Sequence, residues 1–192
     1  MIAIIKYNAG NITSVKNAVE RLGYSCIVTD DITILKSAEK VIFPGVGEAS
    51  SAMKYLKEKG LDEVIKKLTQ PVLGICLGQQ LLCQFSEEGN TQCLGIFEAT
   101  VKKFEPKLKV PHMGWNTISD LKSVLFNGIS AENDFYFVHS YYAEISKETN
   151  AVCEYIIPFS ASMQKDNFYT TQFHPEKSSN VGEQLLLNFL QL

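Results

Sequence analysis

Cys76 stands in Gly74-Ile75-Cys76-Leu77-Gly78, a G-x-C-x-G pattern that closes an apolar run beginning at Pro71. Glycines on both sides allow a sharp strand-to-helix turn that lifts the central side chain above a sheet. A thiol at a helix N-terminus is also favoured as the thiolate, the form that attacks carbon. The competing reading is a buried core cysteine beside a glycine-rich turn. Cys26, Cys83, Cys93 and Cys153 lack such a setting and read as small core hydrophobes. A cysteine nucleophile requires a base, and the base requires an orienting group. Of three histidines, His174 lies in Thr171-Gln172-Phe173-His174-Pro175-Glu176, just past an apolar run. Pro175 ends the strand, and Glu176 is near enough to hold one ring nitrogen while the other faces Cys76. Alone, His-Pro-Glu fits a surface histidine beside a solvated carboxylate better. Coupled with the cysteine elbow, it reads as base and acid.

Stepwise along the chain, the elements needed to hold these groups are visible as hydrophobic periodicity. Residues 2–6, 24–29, 41–43 and 71–75 read as strands. Val15, Ala18, Val19 and Leu22 share one helix face, as do Ala49, Ala52, Met53 and Leu56, and then Leu61, Val64, Ile65 and Leu68. A helix is expected from Leu77 to about residue 85. The first half therefore predicts a parallel sheet covered by helices. Residues 94–104, 135–139, 151–157 and 168–173 read as strands with few helices between them, which predicts an antiparallel extension. A closing helix is expected from about residue 179. The predicted fold is α/β, a mostly parallel central sheet flanked by helices, with residues 1–192 as one domain.

The chain has 192 residues, 45% hydrophobic and 20% charged, with a net charge of −3. This composition fits a globular protein and argues against disorder. The absence of a basic stripe argues against nucleic acid as a partner. No run of about 18 apolar residues predicts a membrane span, and the first ten residues lack the pattern of a secretory leader. Five cysteines without a C-x-x-C pair suit a reduced cytoplasm, with neither a disulfide framework nor a zinc site. No P-loop or G-x-G-x-x-G fingerprint is present, and neither cofactor nor metal is expected.

GICLGQQLL and QFHPEKS together resemble the class I glutamine amidotransferases. YNAGNITSV, PGVGEA, VPHMGWN and YFVHSYY narrow the resemblance to those glutaminase subunits that serve a (β/α)8 cyclase of histidine biosynthesis, and it runs nearly end to end. The resemblance implies a Cys76–His174–Glu176 triad that hydrolyses glutamine through a thioester, with ammonia passed to a cyclase subunit in a heterodimer. It implies an oxyanion hole from the backbone of Leu77 and of Val46 and Gly47, the latter two within Pro44-Gly45-Val46-Gly47. That loop is expected to flip near Val46 before the hole forms, so activity without the partner should be low. Gly47, Gln80, Glu88, Ser140 and Tyr141 are implied for substrate. Asn11, His112, Met113, Trp115, Asn116, Tyr136, His139 and Lys177 are implied for the partner interface. Bland roles stand beside these: core packing for Trp115, a local strand-end bond for His139, a helix cap for Asn11. Gln79 departs from the family, which often has an apolar residue there. Three rival readings remain open: the same chemistry serving a surface-sugar amidotransferase, a cysteine peptidase on a similar fold, and a binding module without activity.

Overall fold

The computed structural model describes residues 1–8 and 12–192; Asn11, expected at the partner interface, lies outside the described residues. Strand β1 (Ile2–Ile5) leads through helix α1 (Ile12–Arg21) to β2 (Cys26–Thr29). The short α2 (Ile32–Ser37) begins where Asp31 accepts hydrogen bonds from the Thr33 and Ile34 amides. There follow β3 (Lys40–Phe43), α3 (Ala49–Glu58), α4 (Leu61–Lys66), β4 (Val72–Ile75) and α5 (Leu77–Leu82). The second half adds β5 (Phe85–Ser86), β6 (Thr91–Gln92), β7 (Thr100–Lys103), β8 (His112–Thr117), β9 (Asp134–His139) and β10 (Tyr141–Ala143). It ends with β11 (Thr149–Tyr155), β12 (Ile157–Lys165), β13 (Phe168–Thr171) and α6 (Ser179–Leu190).

A seven-stranded sheet has the order β11-β12-β13-β4-β3-β1-β2. The five strands from β13 to β2 are parallel, and β12 and β11 extend them antiparallel. The strand order reverses at β1, so chain crossovers cover both faces. Side-chain alternation sorts the core accordingly. Ala3, Ile5, Val41, Phe43 and Val72 pack with α2, α3, α4 and α5 on one face. Ile2, Ile4, Ile42, Leu73 and Ile75 pack with α1 and α6 on the other. Loops after β1, β3, β4 and β13 all leave the same carboxyl edge, where ligands bind in open α/β sheets.

The α/β architecture and the parallel first half match expectation; several boundaries differ. Helix α5 stops at Leu82, because Phe85 already pairs with Thr100 in a second, four-stranded sheet. The run 94–104 is strand only from Thr100 to Lys103, since Gly95 turns the chain at φ 72°. Helix α2 and strands β6, β8, β10 and β12 have no counterpart among the expected elements.

Candidate active site

Cys76 sits between β4 and α5 at φ 53° and ψ −108°, a conformation that non-glycine residues rarely adopt. The turn is possible because Gly78 lies against β3: a Cβ there would fall 1.8 Å from Phe43 O. The same close contact holds the start of α5 against the sheet. All six residues of α5 are buried, so the elbow is braced from behind. The thiol of Cys76 has Val138 O as a weak acceptor at 3.9 Å.

His174 and Glu176 follow β13, which runs parallel to β4. The ring of His174 is 1% exposed, and its Nδ1 lies 2.8 Å from Glu176 Oε1, itself on a buried side chain. Since a carboxylate can only accept, Nδ1 carries a proton and Nε2 is directed elsewhere. Burial opposes a charge on His174, but the negative charge of Cys76 and the hydrogen-bonded Glu176 carboxylate outweigh this and raise the ring well above its ordinary range. A cationic ring beside the sulfur is the setting in which a cysteine reacts as thiolate.

A cavity of about 250 Å³ opens over Cys76, and Val46, Gly47, Gln80, Glu88, His139 and Tyr141 are among its walls. Ser140 also lines it. Gln80 lies one helical turn after Cys76, on the same face of α5. Its Nε2 donates to Tyr141 O at 2.8 Å and to Gln172 Oε1 at 2.9 Å, which leaves its own amide oxygen as an acceptor. Glu88 takes the Ala49 amide on Oε2 at 2.9 Å, at the start of α3. Burial pushes the Glu88 carboxyl up, with the Ala49 bond acting against it.

The expected oxyanion donors are placed differently from a formed hole. The Leu77 amide donates to Gly45 O at 3.2 Å, so the carbonyl of Gly45 occupies the position an oxyanion would take. Turning the Gly45–Val46 peptide would remove that carbonyl and point the Val46 amide inward. Tyr7 braces the loop from below: its hydroxyl donates to Pro44 O at 2.6 Å. A Cβ at Gly45 would fall 1.9 Å from that hydroxyl, so any larger residue would have to displace Tyr7. Tyr7 is buried and its phenol is pushed up, first by burial and then by the charge of Cys76.

The residues expected at the partner surface divide into two groups. Met113 and Trp115 on β8 are 57% and 54% exposed. Trp115 meets Tyr136 edge-on across the β8–β9 pairing, and Lys177 Nζ stands 6.0 Å from the Tyr136 ring centre. His112 and His139 instead point inward and are 3% and 6% exposed. His139 Nδ1 bonds Tyr141 O at 2.7 Å, which fixes its proton there. His139 Nε2 therefore accepts from His112 Nδ1 at 3.0 Å, and His112 Nε2 faces Asn116 Nδ2 at 3.4 Å. Burial pushes His112 down to about 4. It pushes His139 down to about 3, where the Tyr141 bond acts against it and the charges of His112 and His174 add to it. These two histidines tie the hairpin to the site, and Met113 and Trp115 are the exposed members of the set.

Gln172 is not singled out as a site residue by the sequence motifs, and Tyr7 enters them only within YNAGNITSV, toward the partner. Gln172 is fully buried, with Nε2 3.7 Å from Cys76 Sγ. A signal existed: in an extended chain Gln172 and His174 lie two apart and share a face. Tyr7 stands instead beneath the Pro44–Gly47 loop. Among the described residues no cluster of three or more His, Cys, Asp or Glu is placed to hold a metal ion, and no helix is long and apolar enough to cross a membrane.

The family model for class I glutamine amidotransferases matches residues 3–192. An imidazole glycerol phosphate synthase subunit HisH from Bacteroides fragilis is 61% identical, over 100% of this chain and 99% of that protein. The protein of the same name from Vibrio cholerae is 46% identical, over 100% and 98%. Among solved structures, a glutamine amidotransferase superposes with a TM-score of 0.75 at 18% identity, covering 100% of this chain and 98% of that one. The structure of PurLQS from Thermotoga maritima gives 0.73 at 14%, covering 99% and 97%. These two bear on the fold.

Proposed function

The chain belongs to the class I glutamine amidotransferases, and from that premise we propose that it is the glutaminase subunit of an imidazole glycerol phosphate synthase. The observation that carries this reading is the 61% identity to a HisH subunit along the whole chain. The site geometry is consistent with the chemistry. Cys76 Sγ bonds to the side-chain carbonyl carbon of glutamine, and the proton on His174 Nε2 passes to the departing nitrogen, releasing ammonia. Water then attacks the thioester, His174 takes its proton, and the C–S bond breaks to give glutamate and the thiolate. Glu176 holds the ring in its tautomer through the 2.8 Å bond. Glu88 and the free amide oxygen of Gln80 suit the substrate ammonium group, and the backbone of Gly47, Ser140 and Tyr141 completes the pocket.

Ammonia serves a (β/α)8 cyclase subunit docked on the Met113–Trp115 face as a heterodimer, in the cytoplasm. Exposed Trp and Met flanked by Tyr and Lys are suited to an interface core. We read residues 1–192 as one domain, because both cores flank the same sheet. With the Leu77 amide bonded to Gly45 O, the isolated subunit should hydrolyse glutamine slowly. The experiment is glutamate release by the purified chain, alone and with the matching cyclase and its nucleotide ligand. A large rise on assembly is expected. Full activity in the isolated chain, or no response to the cyclase, would overturn the reading.

A further inference from the structure

Inside the site, the Cys76 sulfur has a neighbour to which neither the triad nor the substrate pocket gives a part. Gln172 is 0% exposed and sits between the two strand ends that carry nucleophile and base. Its backbone amide is anchored on Ala161 O at 2.8 Å. The orientation of its side chain is fixed by hydrogen-bond logic. Gln80 Nε2 has two hydrogens and two acceptors, Tyr141 O and Gln172 Oε1. The backbone carbonyl of Tyr141 can only accept, and Gln172 must present its oxygen to Gln80. Its Nε2 is thereby left facing Cys76 Sγ at 3.7 Å.

We propose that Gln172 is a catalytic residue of the glutaminase, whose amide donates to the Cys76 sulfur and stabilises it as the thiolate that departs when the glutamyl thioester is hydrolysed. The proposal rests on Cys76 being the nucleophile. A donor to an ionised sulfur is stronger than one to a neutral thiol or thioester. The bond therefore gains strength as the C–S bond breaks, which is the condition for accelerating that step. The same bond moderates the attacking thiolate, since nucleophilicity falls as the thiolate is stabilised. Gln172 shifts the balance between the two half-reactions: bond breakage to sulfur is favoured over bond formation. Val138 O cannot substitute for it, because a carbonyl only accepts and serves the protonated thiol alone.

Two substitutions separate this from a packing role. Gln172→Glu keeps an acceptor for Gln80 and replaces the donor with an oxygen. Gln172→Met keeps the volume and removes both functions. The full chain is assayed alone and with the cyclase and its ligand. Alkylation of Cys76 by iodoacetamide is followed against pH by mass spectrometry of the Cys76 peptide. The fraction of Cys76 carried as thioester is read on acid-quenched protein during turnover. In both variants alkylation at pH 7 should slow about threefold, the loss of thiolate being partly offset by its higher reactivity; the pH–alkylation curve should move to higher pH, and thioester should accumulate. If Gln172→Met prevents folding, Gln172→Glu decides alone. Alkylation curves and thioester fractions that overlay the wild type, in a folded variant, would overturn the proposal. Glutamate release that survives Cys76→Ala would instead overturn the nucleophile assignment itself, and this inference with it.

Discussion

Gln79 is fully buried, donates through Nε2 to Ser160 O at 2.9 Å, and leaves its Oε1 without a partner. An unsatisfied buried oxygen costs about 1–3 kcal/mol, comparable with what its one bond returns. Gln79→Met should therefore leave stability unchanged or raise it by up to about 1 kcal/mol, read from urea unfolding midpoints; a loss above about 2 kcal/mol would show that the amide is required. His112 and His139 give a second prediction at this scale. Both are held below the ordinary imidazole range, at about 4 and about 3. The unfolded chain binds protons near pH 6.5 that the fold refuses until those values, so it holds more protons between. Stability rises with pH in that window and is lost as pH falls through it. On the order of 2 kcal/mol per histidine should disappear between pH 7 and pH 5, seen as a falling urea midpoint. A flat midpoint would mean that the pair is not held neutral. Cys76, His174 and Glu176 were legible as a site because their types are rare and their local patterns short. The buried histidine pair was not, because its bonds join positions 27 residues apart.

At the scale of elements, the loop after β3 and the side chain after β1 act together. Tyr7 holds Pro44 O, and Gly45 O in turn occupies the Leu77 amide. Removing the hydroxyl with Tyr7→Phe takes away a bond of about 1 kcal/mol from the present loop geometry. Glutamate release by the chain without a partner should rise severalfold, while the rate in the assembled complex changes little. An unchanged partner-free rate would show that Tyr7 does not restrain the loop. The parallel strands were readable because both faces are covered and their residues are uniformly apolar. Strand β8 was not, because its pattern is inverted: Met113 and Trp115 face out while His112 is buried. Strand β12 carries Pro158 near its start and buries Ser160 and Ser162, whose hydroxyls bond Glu144 O and Thr170 O. Serine and proline weaken the hydrophobic alternation on which strand prediction rests.

Across the whole molecule, the exposed hairpin and the His174 loop are mechanically joined. The His174 amide donates to Tyr136 O at 2.9 Å, and Ser178 Oγ accepts from the Tyr136 amide at 3.0 Å. A partner seated on Trp115 and Tyr136 therefore bears on the loop that carries the base. Trp115→Ala should weaken association with the cyclase about tenfold to a hundredfold, measured by titration calorimetry. Binding that is insensitive to the substitution would move the interface elsewhere. Interior packing leaves hydrophobic periodicity in the sequence; the Met113–Trp115 face breaks that periodicity, so the expectation of a partner there came only from the family resemblance.

The bond from the Leu77 amide to Gly45 O also has a bearing on inhibition. An aldehyde that adds to Cys76 creates an oxygen anion needing the seat that Gly45 O now fills. Such compounds bind the protein well only after that carbonyl has turned away. If assembly is what turns it, such compounds discriminate between free and assembled protein, and a screen against the isolated chain would discard the compounds that best capture the working enzyme.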